Sequence, residues 1–314
     1  MLRKAWPAKL LMMAPAPARS PPAPRARAAA LVLAWAGLAG LIGQLTGCAT
    51  PLVDTRYTAQ GQDSRVQYLI LHYTTLSMAD SLRVLTQQGV SAHYLVSDES
   101  PPVAYRLVDE NRRAWHAGLS HWKGATMLNA PSIGIEIVNP GEELAADGTR
   151  HFAPYPPAQI ELLVRLVRDI VARHQIKPER ILGHSDIAPQ RKIDPGAAFP
   201  WQALADAGLI PWPEPSRVAA QWARFETSLP EVAWFQRTLA SVGYLVPDHG
   251  QLDGPTRRVL AAFQMKYRPA RYDGTPDAET AALLQVLTEP LPQPMPQPFP
   301  PAAGRPTMIE APGQ

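Results

Sequence analysis

The chain has 314 residues, enough for two domains with ordinary cores. Its formal charge of +3 conceals an imbalance: residues 1–47 hold Arg3, Lys4, Lys9, Arg19, Arg25 and Arg27 and no acid, so the remainder carries 24 bases against 27 acids. A slightly acidic body removes the electrostatic case for nucleic-acid binding, and a single cysteine, Cys48, excludes an internal disulfide.

Residues 1–47 read as an export leader. A basic, proline-rich start precedes the uncharged apolar run Ala28 to Ile42, and small residues precede a cut. Leu45-Thr46-Gly47-Cys48 resembles a bacterial lipobox, in which the cysteine becomes the lipid-modified first residue of the mature protein. Two alternatives stand beside this: Cys48 as a buried thiol, and an uncleaved membrane helix within the uncharged stretch 28–53. Ala49 rather than Asp follows the cysteine, which by resemblance to Gram-negative lipoproteins favours the outer membrane. Residues 48–64 are polar and irregular, as a tether would be.

An α/β catalytic domain is expected over 65–213. Val66 to His72 reads as a buried strand, and Ser77 to Gln88 as a helix with Ser77 at its N-cap. Ser91–Val96, Val103–Val108 and Ser132–Val138 read as further strands. Pro156 to His174 carries the clearest helical stripe: Ile160, Leu163, Val167, Ile170 and His174. Arg180 to His184 reads as a last strand. Strands alternating with helices imply a mixed central sheet flanked by helices.

A small all-α unit of three helices is expected over 227–288. Ser228-Leu-Pro-Glu231 has the pattern of a capping box opening a helix to Leu239, and Pro255 to Tyr267 is the second helix. Thr275, as N-cap before Pro276, would begin the third. Gln251-Leu-Asp-Gly-Pro-Thr256 and Tyr272-Asp-Gly-Thr-Pro-Asp277 form a half-repeat. Residues 289–314 are a proline-rich tail that cannot bury a core.

Chemistry concentrates in Ile181 to Gly196, where Pro189, Pro195 and two glycines break regular structure around His184, Lys192 and Asp194. His72 ends a buried strand, where side chains at strand carboxyl ends face the ligand crevice of open α/β sheets. Glu136 lies between Ile135 and Ile137, so alternation puts it on the face opposite both. A carboxylate there is costly unless it is paired or faces a site. Two histidines and an aspartate suit a catalytic zinc, which keeps a fourth position for water. On this reading His72, His184 and Asp194 hold one Zn²⁺, Glu136 moves protons, and Lys192 balances charge on a carbonyl oxygen. Plainer readings remain open: Glu136 as a buried ion pair and Lys192 as a solvated loop charge. His93 reads as a core or supporting imidazole, and His121, His151, His174 and His249 as structural or surface residues.

Five motifs arrive in order: Leu69-Ile-Leu-His-Tyr-Thr74, Ser91-Ala-His-Tyr94, Ala114-Trp-His-Ala-Gly118, Ser132-Ile-Gly-Ile-Glu-Ile-Val-Asn139, and Gly183-His-Ser-Asp-Ile-Ala-Pro followed by Lys192-Ile-Asp-Pro-Gly196. Together, over about 64–210, they resemble the zinc-dependent N-acetylmuramoyl-L-alanine amidases of the peptidoglycan-recognition-protein type. That resemblance implies His72, His184 and Asp194 as ligands, Glu136 as the catalytic glutamate and Lys192 as the electrostatic lysine. It also implies Trp115 and His116 as lining a muramyl-peptide cleft, and Asn139, a polar residue just beyond the catalytic strand, as a further substrate-binding candidate. The implied reaction cuts the amide between the lactyl group of N-acetylmuramic acid and L-alanine, in peptidoglycan or muropeptides. The segment Trp234-Phe-Gln to Thr280 resembles a three-helix peptidoglycan-binding domain. Leader and domain order resemble a lipid-anchored amidase of the Gram-negative outer membrane facing the periplasm, here expected as a monomer. The rivals are a non-catalytic recognition or anchoring lipoprotein, which would leave Glu136 and Lys192 without a purpose, and a cytosolic recycling amidase, which the leader opposes.

Overall fold

A computed structural model describes residues 53–144 and 150–289. The expected leader, Cys48 and all but the first residue of the proline-rich tail lie outside them. Residues 53–62 carry no helix or strand and fall in a unit separate from residue 63 onward. Among the described residues no helix is long and apolar enough to cross a membrane.

From residue 63 the chain first builds a five-stranded sheet. Its members are β1 (Tyr68–Tyr73), β2 (Tyr94–Val96), β3 (Ala104–Arg106), β6 (Ser132–Ile137) and β9 (Ile181–Gly183), in the order β3-β2-β6-β1-β9. All pairs are parallel except β2 with β3. Two hairpins lie outside it, β4 (His121–Trp122) with β5 (Ala125–Thr126) and β7 (Glu142–Leu144) with β8 (Arg150–Phe152).

A parallel sheet must be covered on both faces, and β1 and β6 bury Leu69, Leu71, Ile133, Ile135 and Ile137 on one of them while the other carries His72 and Glu136. One face presents Leu69, Leu71, Ile133 and Ile135 to α2 (Pro157–His174), whose Ile160, Leu163, Val167 and Ile170 form the expected stripe. The short α4 (Trp201–Asp206) joins this layer through Trp201 and Leu204. On the other face α1 (Met78–Gln87) covers the β2 edge through Leu85 on Leu95 and Val138. Ser77 caps α1 as expected, its hydroxyl accepting from the Asp80 N–H at 3.2 Å. Ile70 and Leu182, toward the β9 edge of that face, share one core with the C-terminal helices.

Those helices are α5 (Pro215–Thr227), α6 (Val232–Val242), α7 (Gly254–Tyr267) and α8 (Ala278–Thr288). The half-repeat in the sequence becomes a repeated hydrogen-bond knot. Gln236 accepts from the Gly250 N–H and donates to the Gln251 carbonyl and the Thr256 hydroxyl; Gln264 does the same with Gly274, Thr275 and Thr280. Each threonine N–H is in turn capped by an aspartate, Asp253 or Asp277.

Several boundaries differ from expectation. The strand expected from Ser91 begins at Tyr94, because the His93 imidazole itself accepts the Gly134 N–H that a continuing ladder would use. The expected strand over 180–184 stops at Gly183, and His184 opens the helical turn α3 (His184–Ile187). Ser228 is no capping-box residue: it closes α5, and α6 starts after Glu231 without a side-chain cap. Helix α8 is capped by Asp277 rather than Thr275. Helix α5 falls almost wholly between the two expected domains; Glu214 caps it, and Phe225 packs into the helical core.

Candidate metal centre and cleft

Three parallel strands deliver the site. Register pairs His72 with Glu136 across β1 and β6, and Leu71 with Gly183 across β1 and β9. His72, Glu136 and the residue after β9, His184, therefore stand along the carboxyl edge of the sheet. His72 and Glu136 share one face, because paired residues of parallel strands point the same way. Asp194 is brought back by the loop that follows α3, where the Ser185 N–H donates to the Asp194 carbonyl at 2.8 Å.

Nδ1 of His72, Nδ1 of His184 and Oδ2 of Asp194 lie 3.0 Å from one another in all three pairs, and all three residues are buried. The outer nitrogens decide what the inner ones present. Nε2 of His184 lies 3.1 Å from the Ala117 carbonyl, which can only accept, so that nitrogen carries the proton. The Arg191 guanidinium is 3.3 Å from the same nitrogen, but it is taken up by the Ala117 and Leu119 carbonyls. Nε2 of His72 lies 3.0 Å from His116 Nδ1, His116 Nε2 lies 3.1 Å from the Ser132 hydroxyl, and Ser132 donates to the Leu128 carbonyl. Since that relay ends on a carbonyl, every proton in it points outward. Both inner nitrogens therefore turn lone pairs toward a carboxylate oxygen, an arrangement that needs a cation.

Spacing and donor chemistry fit zinc. Ligand atoms about 2.0–2.1 Å from a tetrahedral ion stand about 3.3–3.4 Å apart, close to what is seen. Among the described residues these three form the group able to hold a metal ion. Burial and the neighbouring His184 hold His72 down at about 4 against the pull of Asp194, so its imidazole is neutral at physiological pH. Burial pushes Asp194 up, but the two histidines outweigh it and keep the carboxylate well below its ordinary range.

The ligands open into a cleft of about 240 Å³ that Glu136, Lys192, Trp115 and His116 also line. Glu136 is raised well above the ordinary carboxyl range by burial and by Asp194, with Lys192 opposing. Its Oε2 is buried and meets no hydrogen-bond partner among the described residues. Trp115 is 55% exposed at the mouth. His116 stands behind His72, its ring against Gly134, where a Cβ would fall 2.4 Å from the imidazole. His116 thus supports a ligand as well as lining the cleft, a role the sequence reading missed; the glycine inside an otherwise bulky strand was the available signal. Asn139 is placed otherwise than expected. It is buried away from the cleft lining, donating to the Ala153 and Pro154 carbonyls and accepting from the Gly141 N–H. Its carboxamide fixes the loop after β6 and is not free for a ligand. His93 is the supporting core imidazole expected.

Known proteins resemble this chain over most of its length. Residues 62–197 match the family model described as N-acetylmuramoyl-L-alanine amidase, and residues 228–284 a model described as a peptidoglycan binding domain. N-acetylmuramoyl-L-alanine amidase AmiD of Escherichia coli (strain K12) is 46% identical over 269 residues, covering 83% of this chain and 95% of that protein. A solved complex of AmiD from E. coli with the substrate anhydro-N-acetylmuramic acid-L-Ala-D-gamma-Glu-L-Lys is 44% identical with a TM-score of 0.68, covering 75% of this chain and 93% of that one. AmpDh3 from Pseudomonas aeruginosa in complex with anhydromuramic pentapeptide is 38% identical with a TM-score of 0.69, covering 75% and 96%.

Proposed function

This chain belongs to the N-acetylmuramoyl-L-alanine amidase family, and from that premise we propose how its own residues serve the reaction. It is a zinc-dependent hydrolase of the amide between N-acetylmuramic acid and L-alanine in peptidoglycan or muropeptides. His72, His184 and Asp194 would hold the zinc, the reading that their converging lone pairs carry. Zinc bound there supplies a Lewis acid that acidifies water and polarises a carbonyl.

Glu136 takes the proton of the attacking water and delivers it to the leaving nitrogen as the C–N bond breaks. Its raised pKa suits both duties, since the group that accepts the proton must also release it. Lys192, on the same cleft, balances the negative charge that grows on the carbonyl oxygen. The products are the muramyl lactyl carboxylate and a peptide with a free L-alanine amine. Trp115 offers an exposed indole face for the sugar or stem peptide. Both solved relatives hold anhydromuramyl ligands, which supports acceptance of anhydromuramyl peptides.

The helical unit is read as binding peptidoglycan, which keeps wall strands near the cleft. Cys48, within its lipobox-like motif, is the proposed lipidation site of a monomer held on the Gram-negative outer membrane and facing the periplasm. The rival reading, a protein that recognises or anchors peptidoglycan without cutting it, leaves a complete ligand set and Glu136 idle.

Digestion of purified sacculi and muropeptides, read by mass spectrometry, tests the reaction. Stem peptides beginning with free L-alanine are expected, and a chelator should stop their release. Cleavage at another bond, or undiminished release from metal-free protein, would overturn it.

A further inference from the structure

The helical domain reaches the metal loop (residues 184–194) through one buried polar knot. Asp186 lies two residues beyond His184 and is buried. Its Oδ2 accepts from the Gly183 N–H at 2.9 Å, which closes the helical turn that presents His184. Its Oδ1 accepts from the Tyr244 hydroxyl at 2.6 Å, and the Lys266 ammonium lies 2.9 Å from Oδ2. Tyr244 follows α6, and Lys266 is on α7, so both hands of this grip belong to the C-terminal helices.

Lys266 is only 6% exposed. Its ammonium lies 4.2 Å from the Trp201 ring centroid and 3.4 Å from the Ile181 carbonyl, beside the strand that leads into His184. A charge buried this deeply is weak evidence of stabilisation, since apolar packing does that at least as well. What a buried, fully partnered pair supplies is fixed geometry. Here that geometry is the turn carrying His184, itself tied to Asp194 through the Ser185 N–H.

The approach is built in at other points. Gly243 adopts φ +142°, and a Cβ there would meet Trp122 at 2.7 Å, so a glycine lets the helical domain close on the β4–β5 hairpin. The Lys123 N–H donates to the Gly243 carbonyl at 2.9 Å. Further along the metal loop, Gln190 accepts from Arg258 and donates to the Pro255 carbonyl.

We propose that Tyr244 and Lys266 are positioning residues for the zinc site: the helical domain, beside any role in wall binding, is the frame that holds the metal loop in ligating geometry through Asp186. This rests on the reading that His72, His184 and Asp194 bind zinc.

The test uses the full chain with Lys266→Met, Tyr244→Phe and, as a remote control, Arg271→Ala, an exposed residue whose partners are Asp273 and Asp277. Zinc affinity is measured by competition with a chelator, the cobalt-substituted protein by its visible absorption, and turnover as separate kcat and KM. Loss of a group that orients metal ligands typically costs about 10–100-fold in affinity. Lys266→Met is expected to weaken zinc about tenfold and to shift the cobalt spectrum, with KM unchanged. Tyr244→Phe should do so more mildly, and Arg271→Ala not at all. Folded variants with wild-type zinc affinity and cobalt spectrum would overturn the proposal. If Lys266→Met does not fold, Tyr244→Phe, which removes one oxygen atom, decides between the same two results. His184→Ala separates the failures: should it keep wild-type zinc affinity, the ligand assignment is what falls.

Discussion

Replacing Glu136 by glutamine keeps the shape of the cleft and removes the proposed base. A positioned general base contributes about 10²–10⁴-fold, so kcat should fall by that order while zinc content stays at the wild-type level. Turnover and metal analysis of the same preparation check both halves. Lys192, the proposed partner of the substrate carbonyl, also acts on Glu136, because its positive charge lowers the carboxyl's pKa. Lys192→Met should therefore raise that pKa further. The acid limb of kcat/KM, which requires the carboxylate, then moves to higher pH in a pH–rate profile, and Lys192→Arg should restore its position. At this scale the sequence was legible where spacing has a physical meaning. A histidine ending an apolar strand and a glutamate inside another are expensive unless they face a site. Asn139 was marked by resemblance alone, and a motif match says nothing about direction: its carboxamide is turned to the backbone.

Between elements, α2 and the sheet share the apolar core behind the strands of the site. Leu163 is wholly buried in that layer. Leu163→Ala should cost about 2–5 kcal/mol in denaturant unfolding, through lost burial plus the cavity left behind. The end of α2 is tied to the segment after β3 by Glu110, which accepts from Tyr94, Arg173 and His174. Burial pushes Glu110 up, but these hydrogen bonds outweigh it and bring it from 4.5 to about 2. A lowered folded-state pKa contributes stability that is fully present above about 4.5 and is lost as pH falls toward about 2. Glu110→Gln should flatten that part of the stability–pH curve and leave it unchanged in shape above about 5. Helix α2 was legible because its stripe keeps a strict period. Helix α5 was not: prolines precede it, and Val218, Trp222 and Phe225, its one short stripe, bury little beyond Phe225. The capping residues of α6 and α8 slipped because prolines at 230 and 276 allow several starts; both helices take the later one, and in α8 the Asp277 side chain caps it by accepting from the Thr280 N–H.

Across the whole molecule, the sheet face that carries His72 is completed by the C-terminal helices, which share a core with Ile70 and Leu182. Sequence alone marked those helices as a separate module, since Lys266 and Tyr244 look like ordinary helix and turn residues until Asp186 stands opposite them. Long-range pairing of this kind leaves no local pattern to read. The central assignment is nonetheless one of distance, because strands β1 and β9 and the loop to Asp194 must meet at one ion. Crystals of the zinc-loaded full chain, measured on both sides of the zinc absorption edge, test it directly. A single anomalous peak is expected within bonding distance of His72 Nδ1, His184 Nδ1 and Asp194 Oδ2. A fully active, zinc-containing protein with its peak held by other residues would contradict the account.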